Sequence, residues 1–179
     1  MAAQVLVPIA DGSEELETVT IVDVLRRAGA EVTLASVDGV QVTCSHGLRI
    51  TADCGIEACT ARVWDAIVLP GGMPGAEHLR DCATLIRLLR EHVAAGRLYA
   101  AICASPAVVL HHHGLLKGKA TCYPGFERGM TGYEPARVVE DGQCITGSGP
   151  GAALAFALAV AAGLVGRERA EHVGRAMLA

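Results

Sequence analysis

The chain has 179 residues, a formal net charge of −4 and a pI of about 5.9, and hydrophobic residues make up 51% of it. This length predicts one domain over residues 1–179, and the lack of any basic run longer than two residues excludes a specific nucleic-acid footprint. The seven cysteines include no C-x-x-C pair, which argues against a disulfide framework, a zinc ribbon or a redox dithiol and favours the reducing cytoplasm.

Short β-branched runs alternate with helical segments from the start of the chain. The opening "MAAQVLVPIA" has no positively charged start, so it predicts a strand and not a signal peptide. Ser13 is the expected N-cap of the first helix and Gly29 its stop. The elements predicted here are a strand at 4–9, a helix at 14–30 and a strand at 31–37, followed by a small hairpin or an edge excursion over 40–45 and 48–53.

The rest of the chain continues the alternation. "VWDAIVLPGG" predicts a buried strand that runs into a glycine turn, and "LYAAICA" predicts another strand. Ser105 and Pro106 are the expected N-cap and first residue of the next helix. The apolar run 151–165 is shorter than the roughly 18 to 20 residues of a membrane span and predicts a buried helix. The remaining predictions are helices at 83–96, 105–114, 150–166 and 167–179, and strands at 119–124, 136–141 and 143–148.

This order of elements predicts an α/β fold. Strands that are apolar throughout and alternate with helices indicate a mostly parallel sheet covered by helices on both faces. In such sheets, ligands bind beyond the carboxyl ends of the strands. Residues that follow a strand are therefore the first candidates for a functional site.

Cys103 lies in the turn between the strand that ends at Ile102 and the helix that begins near Pro106. Small neighbours suit a sharp turn, and unpaired helix N–H groups lower the pKa of a nearby thiol, which predicts a nucleophilic thiolate. The alternative is a buried, inert thiol that packs as a small hydrophobe. Position alone leaves both interpretations open, whereas the other six cysteines are interpreted as structural.

Acidic side chains offer the nearest partners for this thiol. "DGSEELET" also follows a strand, so Glu14, Glu15 and Glu17 would open on the same sheet edge as Cys103. Glu14 and Glu15 are also explained as residues that complement the helix dipole. Glu17 is expected to be partly buried with a raised pKa, able to donate a hydrogen bond and to move a proton. The histidines at 111–113 lie about 12 Å along the next helix and suit its C-terminus, with a surface metal cluster as the second interpretation.

The glycine turn "LPGGMPGA" follows another strand. Gly71 and Gly72 let backbone N–H groups approach a substrate oxygen, as an oxyanion hole requires. A tight turn that needs positive φ explains the same glycines, and both interpretations hold together. The segment lacks the G-x-G-x-x-G pattern and the P-loop lysine, so it predicts no nucleotide site.

Six motifs together resemble the ThiJ/PfpI superfamily, namely "GSEELETV", "VDVLRRAGAEV", "VLPGGMPGA", "AAICASPAVVL", "GSGPGAALAFALA" and "VGRERA". The branch they resemble is that of the parkinsonism-associated protein deglycase and its bacterial relatives. The resemblance implies a flavodoxin-like three-layer α/β/α sandwich, a class I glutamine amidotransferase-like domain, a homodimer and no cofactor or metal. It also implies that Cys103 is an easily oxidised nucleophile beside protonated Glu17, with backbone N–H donors from Gly72 and Ala104.

The sequence departs from the family pattern around the thiol. Tyr123 stands where the branch often has a histidine, and a phenol takes up no proton near neutral pH. His46 and Ser148 replace basic residues, which weakens anion binding. "CAS" at the elbow lacks the histidine of the protease-like branch and argues against peptidase activity. Glu14, Gly71, Tyr123 and His46 are expected around the substrate pocket.

Two functions follow from the resemblance. The first is a glyoxalase III or deglycase enzyme that acts on methylglyoxal, a small 2-oxoaldehyde, or on glycated protein, with Cys103 as nucleophile and Glu17 as acid and base. The second is a non-enzymatic redox-sensing or stress-response chaperone protein that uses oxidation of Cys103. The predicted dimer interface is the first helix, with Val19 and Val22, together with the hairpin.

Overall fold

The computed structural model describes residues 2–179. The first half of the chain contains six strands and one α-helix: β1 (Gln4–Ile9), α1 (Glu15–Arg27), β2 (Glu31–Ser36), β3 (Gln41–Thr43), β4 (Arg49–Thr51), β5 (Cys54–Gly55) and β6 (Ala66–Leu69). The second half contains α2 (Gly75–Asp81), α3 (Ala83–Ala94), β7 (Leu98–Ile102), β8 (Val138–Asp141), β9 (Cys144–Gly147), α4 (Ala153–Val165) and α5 (Arg167–Ala176). A π-helix (Pro106–His111) follows β7, and 3₁₀ turns lie at Ile56–Cys59 and Pro150–Ala152.

One seven-stranded sheet organises the molecule, in the order β5-β2-β1-β6-β7-β9-β8. Only β8 runs antiparallel to its neighbour β9, while the other neighbouring pairs are parallel, so the predicted mostly parallel sheet is confirmed. Strands β3 and β4 form the predicted hairpin, as a separate antiparallel pair. The carboxyl ends of β1, β6 and β7 therefore open side by side.

Helices cover both faces of this sheet, as the predicted flavodoxin-like three-layer sandwich requires. On one face Val5, Val7 and Ile9 of β1 share a core cluster with α1, α4 and α5, while Leu6 of the same strand belongs to the cluster formed with α2 and α3. This alternation is the period-two pattern of a strand buried on both faces. Helix α4 is largely buried, as expected for the 151–165 run, and no helix among residues 2–179 is long and apolar enough to cross a bilayer.

Several local predictions are wrong, and polar side chains explain two of them. Glu14, not Ser13, caps α1 and accepts a hydrogen bond from Leu16 N, because Ser13 Oγ is turned back to accept from Ala10 N. Ser105 does stand at the predicted N-cap position, but its side chain makes no capping hydrogen bond because its hydroxyl donates to the Pro70 carbonyl.

The secondary structure also differs from the prediction at three places. Residues 119–124 form no strand and keep only an isolated bridge between Ala120 and Tyr133. Helix α2 was not predicted, because the glycines and prolines at its start are typical of a loop. Pro106 does stand at the first helical position, although the helix it begins is of the π type.

Candidate active site

Cys103 lies on a sharp elbow at the carboxyl end of β7. Its φ is 64°, and apart from Leu178 it is the only non-glycine residue among 2–179 with a positive φ. Cys103 N donates to Gly147 O at 2.9 Å, and its carbonyl accepts from Tyr123 N at 2.8 Å. Backbone strain of this kind persists where the surroundings enforce it and is concentrated at functional sites. The elbow leaves the residue only 9% exposed, at the sheet edge where ligands bind.

Glu17 of α1 reaches this thiol from the next layer. It is fully buried, its Oε2 accepts from Gly71 N at 2.7 Å, and its carboxyl lies beside the Cys103 thiol. The other oxygen, Oε1, has no partner among the described residues. A Cβ at position 71 would lie 2.5 Å from Cys103 Cβ and 3.0 Å from Glu17 Oε2, so only glycine lets the three groups meet.

Burial determines the protonation of Glu17. It raises the pKa of this carboxyl to about 7, against the opposing effects of the Gly71 N–H and the Cys103 thiol, and the nearby Glu14 charge raises it further. Near neutral pH the group therefore exists in both protonation states. A carboxyl with such a pKa can give or take a proton at little cost.

The Cys103 thiol does not have the lowered pKa that the sequence predicts. Burial and the Glu17 charge raise its pKa to about 12, although the backbone N–H groups of Gly72 and Ala104 hydrogen-bond to the sulfur and act in the opposite direction. The prediction of a lowered pKa rested on the helix end, and it treated Glu17 as a protonated partner and not as a charge that raises the pKa of the thiol. Once Glu17 is protonated, the repulsion disappears and a donor faces the sulfur. Thiolate formation is therefore tied to proton transfer from Cys103 to Glu17.

Glu17 should make the stability of the fold depend on pH. Its carboxyl has a pKa near 4.5 without the protein environment and about 7 in the fold, so the folded state favours the protonated form. The protonated carboxyl of Glu17 therefore contributes its full share of stability below pH 4.5, and this share is lost as the pH rises to about 7. The free energy of unfolding should fall by about 3 kcal/mol over that range. Glu17→Gln should remove most of this fall, as urea unfolding across that pH range would measure. Parallel curves for the two proteins would contradict the assignment.

A second polar group joins the start of α1 to the β3–β4 hairpin. Glu14 Oε2 lies 2.9 Å from Ser45 Oγ and 3.2 Å from His46 Nδ1, while Glu15 accepts from His46 N at 3.0 Å. Glu14 is buried, but the His46 side chain is 75% exposed. The carboxylates of Glu14 and Glu15 thus hold His46 at the outer rim of the site, and Glu14 N also donates to Gly71 O. We call Glu14, Glu15 and His46 the rim group.

Metal-ligand geometry occurs only in this rim group among residues 2–179. Glu14, Glu15 and His46 each offer one ligand atom, and these atoms lie within 4.8 Å of one another. The same atoms already hydrogen-bond to one another and to Ser45. The histidines at 111–113 form no such cluster in the described chain, and His113 Nε2 hydrogen-bonds with Arg80 O instead. That the protein works without metal or cofactor stays a prediction.

Tyr123 borders the elbow on the other side. Its N–H bonds to Cys103 O, its ring lies against Gly149, and its side chain is partly exposed. It lines a cavity of about 380 Å³ together with Ser148 and Arg137. Arg137 donates to the Gly151 carbonyl. The sequence analysis did not single it out, because in "ARVVED" it has the pattern of a solvent-exposed charge at the start of a strand. It supplies a basic group beside Ser148, one of the two positions where the family pattern predicted one.

The comparisons with known proteins agree with this fold and identify the family. A model of the DJ-1/PfpI family matches residues 3–163. A solved structure of oxidized DJ-1 from Toxoplasma gondii superposes with a TM-score of 0.96 at 47% identity, over 99% of this chain and 98% of that one.

Two curated relatives extend the match. Protein DJ-1 homolog B of Arabidopsis thaliana is 43% identical over 175 residues, or 95% of this chain but 40% of the relative, so the chain spans less than half of that relative's length. The glutathione-independent glyoxalase DJR-1.2 of Caenorhabditis elegans is 37% identical and is covered over 94% of both chains. The family model over residues 3–163, the relatives and the solved structure together show that the chain, with its strained cysteine elbow and buried glutamate, belongs to the DJ-1/PfpI family.

Proposed function

We propose that the protein is a cofactor-independent glyoxalase III-type enzyme that converts methylglyoxal to lactate and acts on early glycation adducts through the same nucleophile. The observation that carries the proposal is the buried Glu17 carboxyl that lies beside the Cys103 thiol at Gly71, with its pKa raised to about 7. The relative from Caenorhabditis elegans, which bears the name of a glutathione-independent glyoxalase, supports it.

The chemistry needs one nucleophile and one group that moves protons. Cys103 sulfur attacks the aldehyde carbon while Glu17 takes the thiol proton and passes it to the carbonyl oxygen, which forms a hemithioacetal. The backbone N–H groups of Gly72 and Ala104, which contact the sulfur in the free protein, stabilise the oxyanion as it develops. Both donors lie on turns that the fold fixes before substrate binds.

Glu17 then moves a second proton between the two substrate carbons. It removes the hydrogen from the former aldehyde carbon and returns it to the former ketone carbon through an enediol, leaving a thioester of lactate on Cys103. Water hydrolyses the thioester and restores the thiol, so methylglyoxal and one water give lactic acid. Deglycation uses the same attack on early adducts of thiols and amines.

The second candidate function is a redox-sensing or chaperone protein. Two hydroperoxide molecules would oxidise Cys103 in turn to a sulfenic acid and then to a sulfinate, releasing one alcohol or water at each step, and Glu17 and the N–H groups of Gly72 and Ala104 are placed to bind the sulfinate. The observation that favours it is the polar cradle around a single oxidisable sulfur. This candidate needs Glu17 for hydrogen bonding and not for proton transfer.

A homodimer is part of the proposal. Val19 of α1 is half-exposed, as are Leu16 on the same helix and Leu48 beside the hairpin, so these side chains offer an apolar surface next to the site. Val22 is partly buried and packs on the core, which makes Val19 the better candidate of the two predicted interface residues. The cytoplasmic location stays a prediction.

Product counting separates the two candidate functions. With excess methylglyoxal, the wild-type protein should form many lactate molecules per Cys103, and Glu17→Asp should lose at least about 10²-fold of this rate because the shorter side chain moves the proton-transfer group. Glu17→Asp should still form the Cys103 sulfinate under hydroperoxide, as mass spectrometry would show. If lactate never exceeds the amount of protein, the thiol is a trap or a sensor and the enzyme proposal fails.

A further inference from the structure

A second pair of thiols lies at the edge of the sheet. Cys54 of β5 and Cys59 at the end of the 3₁₀ turn have their Sγ atoms 3.7 Å apart. The sequence argued against a redox dithiol because it contains no C-x-x-C pair. The structure shows that a C-x-x-x-x-C spacing also brings two thiols together here. The tightly coiled 3₁₀ turn at 56–59 returns the chain so that Cys59 lies next to Cys54.

The two sulfurs differ in their surroundings. Cys59 is 1% exposed, and burial together with its hydrogen bond to Cys54 raises the pKa of its thiol to about 12, while the Arg62 charge acts in the opposite direction. Cys54 is only partly buried. Cys54 is therefore the sulfur that an oxidant reaches first, and Cys59 is the one beneath it that can resolve the product.

The pair is separate from the Cys103 site. Strand β5 is the edge of the sheet, and β2, β1 and β6 lie between it and β7. At about 4.8 Å per strand this places the two sites roughly 19 Å apart. No direct bond between Cys103 and either edge cysteine is thus possible in the fold.

The surrounding backbone allows the sulfurs to close. A disulfide needs about 2.05 Å between the sulfurs, so they must approach by about 1.7 Å. Strand β5 has two residues and pairs only with β2, and the turn contacts Thr60 N to Glu57 O and Arg62 N to Cys59 O are both 3.4 Å long. A loosely bonded edge of this kind adjusts at less cost than a central strand would.

We propose that Cys54 and Cys59 form a reversible dithiol–disulfide couple, a modification site for hydroperoxides that is independent of Cys103. Cys54 sulfur attacks the peroxide, so an S–O bond forms, the O–O bond breaks and an alcohol or water leaves. Cys59 sulfur then attacks the Cys54 sulfenic acid, so the S–S bond forms and the hydroxyl leaves as water with the Cys59 proton. Two thiols and one hydroperoxide give one disulfide, one water and one alcohol or second water.

Trypsin isolates this pair from the other five cysteines. Cleavage after Arg49 and Arg62 releases residues 50–62, which contain Cys54 and Cys59 only. The full chain is treated with hydrogen peroxide, denatured, alkylated and digested. Peptide 50–62 should lose two hydrogen atoms in mass and take up no alkylating agent, and dithiothreitol should restore both alkylation sites.

Trp64 gives an independent signal in the folded protein. It is the only tryptophan, and its indole N–H donates to Cys59 O at 3.2 Å. A disulfide formed there should quench part of the tryptophan fluorescence, and reduction should restore it. Cys54→Ser and Cys59→Ser should each abolish both the cross-link and the fluorescence change, while Cys82→Ser, which replaces another partly buried cysteine, should leave both intact.

Three outcomes would overturn the proposed Cys54–Cys59 dithiol–disulfide couple. It is overturned if both sulfurs of peptide 50–62 remain alkylatable at a peroxide dose that oxidises Cys103. It is equally overturned if the two sulfurs oxidise separately with no link between them, or if Cys54 links only to a second molecule. None of these results touches lactate formation, so the failure of this proposal and the failure of the glyoxalase proposal are distinguishable.

Discussion

Replacing Cys103 with serine should lower lactate formation from methylglyoxal by at least about 10³-fold. A serine hydroxyl holds its proton far more tightly than a thiol, and Glu17, with a pKa of about 7, is too weak a base to remove it. The Gly72 and Ala104 N–H donors stay in place, so the loss reports on the nucleophile itself. Lactate production measured on purified wild-type and variant proteins checks the result.

Two controls protect this interpretation. Serine is close in size to cysteine, so the free energy of unfolding of Cys103→Ser should stay within about 1 kcal/mol of wild-type. Cys82→Ser, at a partly buried cysteine between α2 and α3, should keep full activity. If Cys103→Ser retains most of the turnover in a folded protein, another residue attacks the aldehyde and the proposed mechanism is wrong.

A methyl group at Gly72 should destabilise the protein by about 3 to 5 kcal/mol. Gly72 has a φ of 89°, and a Cβ there would collide with the backbone of Gly12, Ser13 and Glu14. Gly72→Ala therefore combines backbone strain with a clash that flexible side chains cannot relieve. The loop would have to move away, and the N–H group that faces the Cys103 sulfur would move with it, so activity should fall too.

Gly47 provides the matched control for this substitution. Its φ of 90° is nearly the same, but a Cβ there meets nothing within 4 Å. Gly47→Ala should thus cost only the strain of the left-handed backbone, about 1 to 2 kcal/mol. Urea unfolding of the two variants gives the difference, and equal losses would show that the Gly72 turn is not closely packed.

Most of the sheet could be predicted, because strands buried on both faces leave a plain mark in a sequence. Apolar runs such as "VLVPI" and "LYAAI", separated by helix-length segments, indicate parallel neighbours without any knowledge of the site. Helix α2 could not be predicted in this way, since a helix that begins at Gly75 after Pro74 has the composition of a turn. Strand β5 has only two residues, too few for periodicity to show.

The sequence predicted which residues form the site, but it did not predict the pKa of the Cys103 thiol. A parallel sheet brings residues after different strands to one edge, which predicted that Cys103, Glu17 and the Gly71–Gly72 turn would meet. The pKa of Cys103 depends on how deeply the elbow is buried and on which oxygen of Glu17 faces it, and neither leaves a mark in the sequence. The Cys54–Cys59 approach is likewise a product of one short turn.

The edges of the main sheet determine how copies of this protein can associate. A sheet edge with a long row of free N–H and C=O groups invites strands from other molecules and promotes aggregation. Here one edge is the two-residue β5, and the other is the four-residue β8, which ends in Glu140 and Asp141. Neither edge offers a template of useful length. Both edges therefore disfavour the edge-to-edge growth that builds fibrils.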